Sequence, residues 1–307
     1  MNNEELLNRY QELNSSYRRK LIFHFGGDKG AGFYSEFNSL LLAVLFALHY
    51  KLQFVLYSKD CHFSFNNGWN EFFEDFCPTY KNDIIGRCIG RTYLRPGNRR
   101  LQLYKLFSNN LIENDIYSLC RSSFFEHEFF NIPELGIKGD IKTALKILIP
   151  IIYRFNKNYQ TLINQFVNEL SLPSNYITMH IRGGDKSRER KLIDPDFYLM
   201  KAEQLSECRN AFVFTDDYRL FKRLQQNHPN WQMFTSTSPD ENGHDSNTYL
   251  KQSEEIIRRN FVELFASVEI ASSSDLFIGT YSSNIGLFIG IMNENMIGVD
   301  FDNWLII

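Results

Sequence analysis

The chain has no apolar run long enough to span a bilayer. Its longest, LLLAVLFAL from Leu40 to Leu48, falls short of the roughly 20 residues a transmembrane helix needs and reads as a buried helix. The opening MNNEELLNRYQELNSSYRRK is polar and carries no apolar signal core. Cysteine is sparse: five in 307 residues (Cys61, Cys77, Cys88, Cys120, Cys208), odd in number and without paired metal-ligand spacing. That usage suits reduced thiols better than a disulfide framework. A surplus of positive charge is missing too. The net charge of −3 argues against broad nucleic-acid binding. A cytoplasmic protein is expected, with no nucleic-acid partner. YRRK at 17–20 reads first as a solvated helix end and second as a peripheral contact with the inner face of a membrane.

What is present is a globular composition, 43% hydrophobic and 22% charged, in a chain with room for two domains of ordinary size. Residues 1–18 pattern as an amphipathic helix. KLIFHF reads as a strand, GGDKGAG as a turn, Phe33 to about Tyr50 as an apolar helix and QFVLYS as a second strand. This is the opening of an open α/β domain. Residues 58–130 are rich in Phe, Tyr and Asn and predict only short helices and loops. Such aromatics read first as core and second as a platform for an acceptor. The segment 140–173 has helical spacing, with Pro150 as its expected kink or break.

Beyond it the alternation is cleaner: strand 176–181, helix 195–207, strand AFVFTDD, helix 218–227, strand WQMF, helix SEEIIRRNFVELFASVEIASS, strand DLFIGTY, a helix from Ser283 and strand MIGVDF. Strands separated by helix-length segments predict a parallel, doubly wound sheet. The expected domains are residues 1–165 and 166–307.

Ligands of such sheets bind beyond the carboxyl ends of the strands. Three of those ends are polar here: HIRGGDK after strand 176–181, TDD after FVF, and TYSSN after DLFIG. Asp216 with Asp217, and Ser282 with Ser283, read equally well as helix caps. Arg182 is less easily assigned to structure. Its guanidinium fork matches a phosphate, and the adjacent glycines let backbone amides approach an anion. The amides of Ser283 and Asn284, at a helix start, would add donors. GDKGAGF lacks both the Lys-Ser/Thr ending of a P-loop and the G-x-G-x-x-G order. TDD is a pair of adjacent carboxylates at a strand end, not a D-x-D-type metal site.

In this order, HIRGGDK, FVFTDD and DLFIGTYSSN resemble the three signature regions of the α1,6-fucosyltransferase superfamily. That group includes the core fucosyltransferase of N-glycans and the nodulation-factor fucosyltransferases. GAGFYSEFNSLLLAVLFALHYKLQFVL looks like that family's first loop and helix. The likeness runs from about Lys29 to Asp302 and is thin between 60 and 170. It implies a GT-B-type α/β architecture of two Rossmann-like domains with a cleft between them. It further implies an acceptor side in the N-terminal domain and nucleotide-sugar binding in the C-terminal one.

The activity implied is inverting, metal-independent transfer of fucose from GDP-fucose, without a cofactor, to a glycan or glycolipid. By position, Arg182 would grip the β-phosphate, His180 would lie near the nucleoside, Ser283 would hold the diphosphate, and Gly32 would offer an amide. Asp185 and Lys186 fall on the family's charged pair, and Ser282, Asn284, Asp216 and Asp217 join the donor-binding candidates.

The chain also departs from the pattern. Gly183 stands where a second basic residue is frequent. Arg190 stands where the core enzymes place a candidate base, which makes Glu189, one position earlier, the expected base. Ser267 stands where those enzymes carry a nucleoside-contacting acid, with Glu263 and Glu269 nearby. Another GDP-sugar as donor, or a non-catalytic GDP- or glycan-binding role, therefore stay open.

Overall fold

Helix α1 (Asn3–Ser16) begins where the Asn2 side chain accepts the Glu5 amide at 2.8 Å, satisfying one donor of the open first turn. Near its other end Asn14 is buried. Its side chain donates to the Phe54 carbonyl at 3.0 Å and accepts the Phe54 amide at 2.6 Å. The side chain thus pairs the outer edge of a strand, whose next outward-facing residue, Leu56, bonds the backbone of Pro78 and Tyr80. That strand belongs to a three-stranded parallel sheet ordered β2-β1-β3, built from β1 (Lys20–His24), β2 (Gln53–Tyr57) and β3 (Leu111–Ile112).

Between β1 and β2 runs α2 (Phe33–His49), apolar on nearly every side and buried almost throughout, as such a composition requires. The chain then forms α3 (Asp83–Ile89), α4 (Arg99–Phe107) and two single-turn helices, α5 (Glu113–Ile116) and α6 (Ser123–Glu126). An antiparallel pair follows, β4 (Phe130–Ile132) with β5 (Ile137–Gly139). The turn joining them places Gly136 at φ 70°, a conformation that costs glycine little.

Helix α7 (Ile141–Ile152), capped by Asp140, runs through Pro150 and ends two residues later. The expected break at Pro150 is therefore displaced. A proline in the last turn removes one amide bond but has little helix left to interrupt. Many aromatic residues of this half are core: Phe33 stacks on Phe37 at 5.8 Å, Trp69 on Phe73 at 4.6 Å and Phe73 on Phe155 at 5.0 Å. All five rings are buried. As an acceptor platform these rings are excluded, because packing consumes their faces.

In this computed structural model the described residues are 2–28, 31–63, 65, 67–89, 99–183, 193–243, 252–301 and 304. They fall into two units, one up to Lys157 and one from Asn158. The second opens with α8 (Lys157–Glu169) and continues β6 (Ile177–Ile181), α9 (Pro195–Leu205), β7 (Asn210–Thr215), α10 (Tyr218–Asn227), β8 (Gln232–Phe234), α11 (Glu254–Ser273), β9 (Leu276–Gly279), α12 (Asn284–Met292) and β10 (Met296–Gly298). All five strands are parallel, in the order β10-β9-β6-β7-β8.

On one face Ile177, Met179, Ile181, Ala211, Val213 and Ile278 pack with Tyr198, Leu199, Phe221 and Leu224 of α9 and α10. Helix α11 contacts β6 and β7 as well, and α12 packs on α11. The chain winds outward from β6 through β7 to β8, then returns to β6's other side for β9 and β10. That reversal puts the topological switch point between β6 and β9. Among the described residues, no helix is long and apolar enough to cross a membrane.

Candidate functional site

Two of the three polar strand ends flank the switch point. Strands β6 and β9 run in register, with Thr178 beside Phe277 and Met179 beside Ile278. One step further, a Cβ added to Gly279 would lie 3.6 Å from the Cβ of His180. Arg182 and the turn Tyr281–Ser283 therefore leave neighbouring strands at one edge of the sheet.

Arg182 is half-buried, and the loop it starts is braced from the side. The Gly183 amide donates to Asp216 Oδ1 at 2.7 Å. A Cβ at Gly183 would stand 2.9 Å from the Asp217 Cβ and 3.2 Å from Asp216 Oδ1. That approach accounts for glycine where a basic residue is frequent in the resembling family: a long side chain there would push the two loops apart. Asp217 caps α10 by accepting the Arg219 amide at 3.0 Å. It also holds the Arg219 guanidinium through both oxygens, at 2.9 and 2.6 Å. The hydrogen bonds from Arg219 keep the Asp217 carboxyl below the usual carboxylate range. Each aspartate of TDD is thus engaged with the protein's own groups.

The turn after β9 is equally furnished. Asp300 accepts the amides of Tyr281 and Ser282 at 2.8 and 2.9 Å. The Ser283 hydroxyl, buried, accepts the Gly286 amide at 2.9 Å and donates to the Thr280 carbonyl at 3.2 Å. A Cβ at Gly286 would meet that carbonyl oxygen at 1.9 Å, so glycine is what lets α12 start this close to the strand. Asn284 is exposed and Ser282 half-buried. The positive end of α12's dipole faces the sheet edge to which Arg182 also belongs.

His180 lies behind this edge. Its ring sits 4.9 Å from Phe214 and 6.3 Å from Phe277. Burial, helped by the charge of Arg182, pushes its pKa down to about 3. At neutral pH it is uncharged, so it adds no positive charge to the edge beside that of Arg182. Ser267 is buried on α11 with its hydroxyl 2.9 Å from that of Ser236. One turn away, burial raises the pKa of Glu263 despite Arg259 at 2.9 Å, and burial also raises that of Glu269.

Asp185, Lys186 and Glu189 lie outside the described residues. Gly32 belongs to the first unit, at the N-cap of α2, and a Cβ there would meet nothing within 4 Å. Gly32→Val should therefore leave the thermal midpoint unchanged. If this backbone approaches a diphosphate, the same variant lowers transfer rate. Loss of both together on one preparation would make Gly32 a folding residue.

Sequence reasoning overlooked Asp300 and a cluster at the carboxyl end of β1. There His24 is buried, with Nε2 3.0 Å from Asp60 Oδ1, and Arg87 Nε is 3.9 Å from Asp60 Oδ2. The His24 hydrogen bond holds the Asp60 carboxyl below its ordinary range. Buried Glu113 and Glu36 accept the amides of His24 and Gly26 at 3.3 and 3.0 Å. The available signal was positional: polar residues directly after strands. Among the described residues, no group of three or more His, Cys, Asp or Glu is arranged to hold a metal ion.

Solved structures share this architecture. Fucosyltransferase NodZ from Bradyrhizobium is 12% identical, with 92% of this chain and 96% of that one aligned at a TM-score of 0.54. A NodZ α-1,6-fucosyltransferase soaked with GDP-fucose is 14% identical over 93% and 97% at 0.55. A variant of Arabidopsis thaliana FUT1 in complex with GDP is 10% identical over 96% and 74% at 0.55. The chain has the GT-B-type α/β fold of these fucosyltransferases. At that level the resemblance read from the sequence holds. No protein-family model matches the chain, and no curated protein matches it.

Proposed function

We propose that this chain transfers fucose from GDP-fucose to a glycan or glycolipid, with inversion at the anomeric carbon and without a metal. The observation that carries the reading is the pairing at the switch point of β6 and β9: Arg182 on one strand end, the N-terminus of α12 on the other. Two of the structures with this fold were obtained with GDP or GDP-fucose.

The chemistry fits the residues. As the acceptor oxygen bonds to the anomeric carbon, the bond from that carbon to the β-phosphate oxygen breaks, and negative charge grows on the leaving diphosphate. Fixed donors aimed at that charge lower the barrier without reorganising. Arg182 supplies a full charge and two parallel N–H groups. The start of α12 adds a smaller, permanent positive potential. Asp216, through Gly183, and Asp300, through Tyr281 and Ser282, hold the two loops in place. Asp185 and Lys186 complete the charged loop in this reading, and Glu189 takes the acceptor's proton.

Another GDP-sugar is the second reading, favoured by the two departures at Arg190 and at Ser267, whose hydroxyl is bonded to Ser236 where the resembling enzymes carry an acid. A donor screen tests both readings. GDP-fucose, GDP-mannose and UDP-sugars are incubated in EDTA with candidate glycans, and nucleotide release is measured. GDP release from GDP-fucose that grows with acceptor is expected. Preference for GDP-mannose transfers the proposal to the second reading. Turnover with no donor, alongside tight GDP binding, would leave a non-catalytic binder.

A further inference from the structure

The stretch from Ile84 to Ile112 carries six basic residues (Arg87, Arg91, Arg95, Arg99, Arg100 and Lys105) and no acidic one. Lys105 is paired with Asp115 and Arg87 lies 3.9 Å from Asp60, but in a chain whose net charge is −3 the remaining arginines are still a local departure. The stretch contains α4, a short helix with no fully buried residue. Leu101 and Tyr104 pack inward on the small core of Ile22, Ile89 and Ile112. On the outer side Leu103 is 57% exposed, Leu106 76% and Phe107 88%. Ile84 of the adjoining α3 is exposed as well. The chain end of α4 meets the other basic segment: Arg19 Nε donates to the Asn109 carbonyl at 2.5 Å, and the Lys20 amide donates to Asn110 Oδ1 at 3.1 Å. Arg18 and Arg19 are exposed beside the apolar tip, and Arg99 and Arg100 are exposed at the helix's other end.

We propose that this face docks on an anionic phospholipid surface, with Leu103, Leu106 and Phe107 entering the headgroup boundary and the arginines meeting lipid phosphates. Charge complementarity selects the occupant. Three large apolar side chains on one side of a short helix offer too little area for a stable protein interface. Flanked by arginines at both ends, however, they match the arrangement that binds helices in the plane of a membrane. Basic residues close to an anionic leaflet add attraction that salt screens. Nucleic acid would use the arginines but leave Leu103 and Leu106 in water. The docking is independent of the reaction proposed above, since none of these residues belongs to the donor edge.

Vesicle sedimentation with the full chain tests it, comparing phosphatidylcholine alone with phosphatidylcholine containing phosphatidylglycerol. Binding to the anionic vesicles is expected, and it should weaken as salt rises. The pair Leu106→Ser/Phe107→Ser should lower the partition coefficient about tenfold or more. The pair Arg99→Gln/Arg100→Gln should do likewise. All four side chains are exposed, so thermal midpoints and GDP affinity should stay at wild-type values, which separates failure here from failure of the donor site. No binding to anionic vesicles, or unaltered binding by both pairs, overturns the proposal. So does binding to a single-stranded oligonucleotide without lipid partition, or self-association that the Leu106/Phe107 pair abolishes.

Discussion

Replacing Glu189 with Gln is expected to lower the rate constant about 10²–10⁴-fold, the range for loss of a general base, while GDP affinity stays unchanged. An acceptor hydroxyl must shed its proton as it attacks, so a carboxylate has to stand within hydrogen-bond reach. The described carboxylates near the sheet edge are otherwise engaged. Asp216 accepts the Gly183 amide, Asp217 holds Arg219, and Asp300 bridges two amides of the turn after β9. A carboxylate that stabilises its charge by such bonds is a weaker base, as the lowered pKa of Asp217 illustrates. Asp60 is lowered by His24 in the same way. Glu263 has the raised pKa a base can use, but it is bonded to Arg259, so Glu263→Gln is the control. In the proposed reading the base comes instead from the segment that follows β6 in sequence. In that reading Asp185, between Arg182 and Lys186 in sequence, orients the cations, and Glu189, four residues later in sequence, takes the proton. Asp185→Asn should therefore weaken donor binding and turnover together, unlike Glu189→Gln. Rates at saturating donor and acceptor, with calorimetric GDP affinity, separate the two. Near-normal turnover of Glu189→Gln would reduce Glu189 to a solvated charge.

The strand ends were legible because the second unit repeats one local grammar, a short β-branched or aromatic run followed by a capped amphipathic helix. The expected helix 218–227 coincides with α10, and the expected strand 176–181 matches β6 to within one residue. What the two loops lean on was not legible. Asp216 reaches Gly183 across 33 positions, and Asp300 reaches Tyr281 across 19. Both contacts depend on β7 and β10 flanking β6 and β9, an order local pattern does not encode. In the first unit the reading was thinner for a related reason. Strand β3 is two residues long, α5 and α6 are single turns, and elements so short leave no period to detect. The β4–β5 hairpin carried a signal in PELG, where glycine takes the left-handed position, but its strands are too brief to have been called from alternation.

GDP should bind in EDTA, and Arg182→Ala should weaken it by about 1.5–3 kcal/mol, the size of hydrogen bonds to a charged group. That is roughly a ten- to hundred-and-fifty-fold rise in Kd. The magnitude distinguishes the guanidinium from its neighbours. A helix N-terminus such as that of α12 contributes typically ~0.3–1 kcal/mol toward an anion, so Arg182 should be the larger loss by a clear margin. His180 cannot substitute, because it is buried and neutral at the pH of the assay. Arg182→Lys should recover only part of the affinity, since an ammonium keeps the charge but not the planar fork. The fold should tolerate the alanine. Arg182 leaves the sheet half-buried, its charge opposes protonation of His180, and among the described residues it pairs with no buried acid. Arg223→Ala, which removes an exposed partner of Asp194 and Asp196 on α10, should leave Kd unchanged and so exclude a general loss of positive charge. If Arg182→Ala binds GDP as tightly as the parent, or if the parent binds only when Mg²⁺ is added, the anion is held by something other than this strand end.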